Sequence, residues 1–143
     1  MIVKNERPPN YEQIAAAFNI KGRYGIIFTY GSTIYNPDGE PVSPDLFAHE
    51  EVHERQQRDI LALSLNRPTN GPAEWWDRYI ADPEFRLDQE VEAYRAQYKF
   101  AQENYGRDQR RALLKHISKA LAGPMYGYLM SPDEARRTIQ RGQ

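Results

Sequence analysis

Ser43-Pro44-Asp45 opens the segment that most constrains this fold. A serine hydroxyl can accept from the N–H groups that the first helical turn leaves unpaired, and proline suits the first helical position. An aspartate there complements the helix dipole. The helix so started is expected to run to about Leu63 or Leu65 and to end before Asn66-Arg67-Pro68. Beyond a loop holding Pro68, Gly71 and Pro72, residues 73–80 read as a short helical piece. Pro83 then opens a second long helix, which Gly106 ends. Arg107–Leu121 reads as an amphipathic helix with Leu113, Leu114, Ile117 and Leu121 on one side, stopped by Gly123-Pro124. Ser131-Pro132-Asp133-Glu134 is a capping box that starts a last helix toward Arg141.

The part before Ser43 reads differently. Residues 11–18 suit a short helix, since Ile14, Ala15 and Phe18 share a face. Residues 24–30 are rich in β-branched and aromatic side chains and predict a strand. Gly31-Ser32 breaks it, Thr33–Tyr35 is a second short strand, and Asn36-Pro37-Asp38-Gly39 is a strong turn signal. The expected fold class is therefore α+β and mainly helical, with a small antiparallel sheet before the first long helix. At 143 residues the chain suits a single domain spanning 1–143.

Composition removes several functions. With no cysteine, thiolate metal sites, disulfides and cysteine nucleophiles are excluded. A net charge of −1 gives no field that would draw nucleic acid or an acidic surface. No stretch approaches the roughly 20 apolar residues of a membrane span, and MIVKNERPPN lacks the apolar run of a secretory leader. The expectation is a soluble cytoplasmic protein with no nucleic-acid or membrane partner.

The chemistry concentrates in His49-Glu50-Glu51-Val52-His53, which matches H-E-x-x-H. Residues four apart on a helix differ by about 40° around its axis, so both imidazoles can face one ion. Glu50, about 100° away from His49, is placed to take a proton from an activated water instead of ligating. These residue types in this pattern point to Zn2+ and to a peptide or protein substrate. The plainer alternative is two surface histidines on a charged helix.

A catalytic zinc also needs a third protein ligand. Asp59 lies about 240° round from His53 on a continuing helix, because Gln56 stands where a turn-making glycine would be needed. His116 sits among Leu113, Leu114 and Ile117, where a core or boundary histidine is the commoner case. In Glu90-Val91-Glu92 the two carboxylates are about 200° apart, so only one can face the site. Glu92 keeps the company of Asp88, Gln89, Arg95 and Lys99, a charged strip that reads as solvated. Glu90 is flanked by Leu87, Ala93, Tyr94 and Gln97, a more buried face on which a carboxylate needs a partner. Glu90 is the leading third ligand, with Glu92 and His116 left open.

HEEVH followed about 37 residues later by E-x-E-A resembles the gluzincin clan of zincin metallopeptidases, across about residues 24–105. The small size, HEEVHERQQ and EVEAYRAQY are similar to minimal zincin-like proteins of phages and prophages. The resemblance implies a zincin-like fold, His49, His53 and Glu90 as zinc ligands, and Glu50 as general base. It also allows a host-cytoplasmic or virion location, and a scaffold that keeps the metal site without turnover. In one place the chain departs from the clan. The clan's aspartate, four residues after the ligand glutamate, steadies a zinc-binding histidine, and here that place is Tyr94, whose hydroxyl could accept from an imidazole N–H. Weaker candidates are residues 26–30 or Thr33–Tyr35 as a substrate-pairing edge, Gln56 and Gln57 along the cleft, Trp75 and Trp76 as a wall, and Tyr126 and Tyr128 as donors to an oxyanion.

Overall fold

The computed structural model describes residues 1–63 and 70–142. In chain order come strand β1 (Ile2–Lys4), helix α1 (Tyr11–Ala17), strands β2 (Phe28–Tyr30) and β3 (Thr33–Tyr35), and helices α2 (Pro44–Leu63), α3 (Gly71–Ala81), α4 (Pro83–Asn104) and α5 (Arg107–Leu121). A 3-10 turn at Pro124–Tyr126 and helix α6 (Pro132–Arg141) complete it. Three helix starts follow from a polar side chain set beside a proline. Asn70 accepts from the Ala73 N–H, Asp82 accepts from the Glu84 and Phe85 N–H groups, and Ser131 accepts from the Glu134 N–H. The Asn70 cap explains why Gly71 and Pro72, expected in a loop, form the first turn of α3. The expected helix limit at Leu65 and the loop residue Pro68 lie outside the described residues.

The sheet corrects an expectation. β2 and β3 do form an antiparallel hairpin, with Thr29 opposite Ile34, but β1 runs parallel to β3 and makes the sheet mixed, in the order β1-β3-β2. Ile2 and Val3 are exposed, so no alternation of apolar and polar residues announces this third strand. β2 is also shorter than residues 24–30, because Gly25 turns the backbone at φ 82°.

α2 and α4 are long helices, of 20 and 22 residues, packed against each other. Two hydrophobic clusters flank the pair. On one side Ile14, Phe28, Ile60, Trp75, Trp76 and Tyr79 join α1, β2, α2 and α3. On the other, Leu114, Ile117, Leu121, Ala135 and Ile139 join α5 and α6 to Tyr98 of α4 and Tyr126 of the 3-10 turn. Met125 packs against both clusters.

A buried amide ties the sheet to α2. The Gln57 side chain, 1% exposed, accepts from the Gly31 N–H at 2.7 Å and donates to the Thr29 carbonyl at 2.9 Å. This places β2 against the part of α2 that carries His49 and His53, where Thr29 reaches Glu50. Removing it takes the partner from the Gly31 N–H and one of two donors from the Thr29 carbonyl, so Gln57→Ala is expected to cost about 1–3 kcal/mol in denaturant unfolding. A loss within experimental error would show that the clamp does not hold the strand.

Candidate metal centre

His49 and His53, one turn apart on α2, meet Glu90 from α4. The two histidine Nε2 atoms lie 3.1 Å apart. Glu90 Oε2 lies 3.2 Å from His49 Nε2, and Glu90 Oε1 lies 3.5 Å from His53 Nε2. All three side chains are buried, and one potential ligand atom from each falls within 4.8 Å of the others. His49, His53 and Glu90 thus form a group that could hold a metal ion.

The surrounding amides decide how the rings present themselves. His49 Nδ1 contacts Gln97 Oε1 at 3.0 Å, and Gln97 Nε2 donates to Asp45 Oδ2 at 2.8 Å. His53 Nδ1 contacts Gln56 Oε1 at 2.9 Å, and Gln56 Nε2 donates to the Gln89 carbonyl at 3.1 Å. A carboxylate and a carbonyl can only accept, so each amide must turn its N–H2 toward them and its oxygen toward the ring. Both imidazoles therefore donate through Nδ1, and when neutral both aim an unprotonated Nε2 at the shared point. Glu90 Oε2, also buried, accepts no hydrogen bond. Three electron-pair donors face one another with little of their surface open to solvent, and a cation at that point would satisfy all three. The residues fit a metal.

The same geometry governs protonation. Burial works against a charge on His53, but the Glu90 carboxylate outweighs it, with help from Glu50 and Gln56, and holds this histidine at about 9. Burial opposes the Glu90 charge too, yet the two histidines keep its carboxyl well below the usual range. Tyr79 donates to Glu90 Oε1 at 2.6 Å. Burial first, and then the Glu90 charge, push the Tyr79, Tyr94 and Tyr126 hydroxyls upward, so all three stay neutral donors.

Aromatic rings and one buried arginine set these groups in place. Trp75 packs on the His53 ring at 5.2 Å and stacks on Tyr79 at 4.7 Å. Arg86 Nη1 donates to the Tyr79 and Ile80 carbonyls at the end of α3, which anchors Tyr79 against α4. Tyr94 meets His49 edge-on, with ring centres 4.7 Å apart. Its hydroxyl is not the acceptor for the imidazole N–H; Gln97 takes that part, backed by Asp45.

Glu50 is buried beside the cluster, with Oε2 accepting from Thr29 Oγ1 at 2.6 Å. Glu50, both histidines, Glu90 and Tyr126 line one cavity of about 610 Å³. The other candidates separate clearly. Asp59 is exposed, and Glu92 is exposed and paired with Arg55. His116 is an exposed residue on the cavity wall, not a core histidine, and lies outside the ligand group. Tyr128 is 71% exposed, whereas Tyr126 is buried. Gln56 and Gln57 are buried positioning groups and not cleft-lining solvated ones. β3 is paired on both sides and offers no edge, and the Thr29 carbonyl of β2 is taken by Gln57 and by Trp76 Nε1. Residues 25–29 still line the cavity.

In the sequence Asp45 reads only as a helix-start residue and Gln97 only as a neighbour of Glu90, while Thr29, Tyr79 and Arg86 carry no site signal. Spacing carried part of the signal: Asp45 precedes His49 by one turn, and Gln97 follows Glu90 by two.

Two measurements check this centre. Gln97→Leu is expected to weaken metal affinity about 10–100-fold in a chelator competition, by freeing the His49 ring; unchanged affinity would remove Gln97 as its orienting group. In metal-free protein the raised His53 value contributes stability that is complete below 6.5 and lost as pH rises through about 9. Unfolding midpoints should fall across that interval in the wild type and stay flatter in His53→Ala, and equal slopes would contradict the assignment.

No protein-family model, curated protein or solved structure matches this chain.

Proposed function

We propose that this protein is a zinc-dependent metallopeptidase of gluzincin type, with His49, His53 and Glu90 as ligands and Glu50 as general base. The observation that carries the reading is the pair of pinned Nε2 atoms and the Glu90 carboxylate sharing one point, with Glu50 in the same cavity. Two imidazoles and one carboxylate make a donor set used by catalytic zinc sites that keep an open position. Zinc held there would polarise a peptide carbonyl and make water acidic near neutral pH.

The chain's own residues supply the rest. Thr29 holds Glu50 Oε2, which leaves Oε1 to take a proton from the attacking water and return it to the leaving amine. Tyr126 keeps its proton and lines the same cavity, where it can donate to the oxygen on which charge develops. Residues 25–29 give an extended peptide a wall to lie along. Among the described residues no helix is long and apolar enough to cross a membrane, in keeping with a substrate met outside the bilayer.

Glu50→Gln keeps the hydrogen bond from Thr29 and the three ligands. It should retain zinc while slowing hydrolysis of unfolded casein at least about 100-fold. An unchanged rate would remove Glu50 as the base. A wild type that holds zinc and cleaves neither casein nor a mixed peptide library would turn the reading into that of a metal-holding scaffold.

A further inference from the structure

A second cavity of about 420 Å³ lies against the first, and residues Ile20, Arg23, Tyr24, Ile26 and Phe28 line both. The stretch from Ile20 to Phe28 is therefore a shared wall, with the ligand cluster on one side. Two arginines line the second cavity, Arg7 and, from the shared wall, Arg23. Arg7 lies over the Tyr11 ring, 4.2 Å from its centre, which fixes its plane against the cavity wall. Neither arginine forms a salt bridge among the described residues.

The acidic groups nearby are already engaged. Asp38, the one carboxylate lining this cavity, accepts from the Gly25 N–H at 2.7 Å, and Glu40 accepts from the Tyr24 hydroxyl. Both carboxylates keep their charge, but among the described residues neither pairs with Arg7 or Arg23, so the two guanidinium groups are left to take an incoming anion in a pocket whose walls are Tyr11, Ile20, Ile26 and Phe28. A guanidinium fork suits the two oxygens of a carboxylate, and the aromatic and aliphatic walls suit the carbon chain that bears it. The positive-φ glycines Gly22 and Gly25 turn the backbone within the shared wall.

We propose that this second cavity is a substrate subsite that takes a carboxylate through Arg7 and Arg23, borne by an acidic side chain or a free C-terminus of a peptide lying along residues 25–29. The assignment rests on the peptidase reading for its substrate class, but its test does not need turnover.

Zinc-loaded Glu50→Gln protein is titrated with three N-acetylated pentapeptides alike except for charge. One carries a central glutamate and an amidated end, one a central glutamine and a free C-terminal carboxylate, and one a central glutamine and an amidated end. At low salt, at least one carboxylate peptide should bind about tenfold more tightly than the neutral one. The arm that does so identifies the source, and added salt should shrink the advantage. Arg7→Gln with Arg23→Gln should abolish the advantage, while Arg7→Lys with Arg23→Lys should keep part of it. Equal binding of all three peptides, no binding of any, or an advantage that survives the double glutamine variant would overturn the subsite. Casein hydrolysis by the wild type judges the peptidase reading separately. Cleavage without carboxylate preference sinks the subsite alone, and carboxylate preference without cleavage sinks the peptidase reading alone.

Discussion

Three electron-pair donors aimed at one buried point are the constraint on which the rest of this molecule depends. Two neutral imidazoles and a carboxylate repel one another when nothing positive lies between them, and burial removes the water that would soften this. Left metal-free, the cluster answers by drawing in a proton, which is why His53 is held at about 9 against the pull of burial. A divalent cation meets the same need more fully. Its binding energy would then become part of the folding energy, because His49 and His53 come from α2 and Glu90 from α4, which the unfolded chain does not hold together.

Much of the surrounding architecture serves to hold that point still. The Asp45–Gln97–His49 chain ties the start of α2 to the middle of α4, and Tyr105 adds a second donor to Asp45 at 2.7 Å. Gln56 crosses from α2 to the backbone of α4 at Gln89, whose side chain in turn accepts from Trp75. Each link joins the two long helices or braces α3 against them. Glutamine carbonyls, not carboxylates, receive the imidazole protons here. A neutral acceptor lends the ring less negative charge than a carboxylate would, so an ion held there would keep more of its acidity. Two apolar clusters pack against the helices that carry this polar seam.

The cluster of His49, His53 and Glu90 was legible because helical geometry is simple. Four residues bring His49 and His53 to one face, and the apolar company of Glu90 set it apart from Glu92, which the structure leaves exposed beside Arg55. Helix starts were legible where a capping side chain meets a proline, as at Asp82-Pro83 and Ser131-Pro132. The sheet was not. A three-residue strand with two exposed apolar side chains, Ile2 and Val3, carries no period to read, and parallel pairing with β3 is a long-range contact. Tyr94 drew attention because of its place in sequence, but helix facing alone cannot say whether a ring lies edge-on to an imidazole or reaches it with its hydroxyl. Gln97 was seen only as a neighbour of Glu90. Its task appears once Asp45 arrives from the other helix to fix the direction of its amide.

A centre built from His49, His53 and Glu90 is tested by what surrounds an ion placed there. Zinc K-edge absorption of protein loaded with one equivalent of zinc reads the ligands directly. Two imidazoles with nitrogen at about 2.0–2.1 Å and oxygen completing a four-coordinate shell are expected, with the imidazole scattering halved in His53→Ala. A shell of oxygen atoms alone, or imidazole scattering untouched by that substitution, would contradict a centre built from His49, His53 and Glu90.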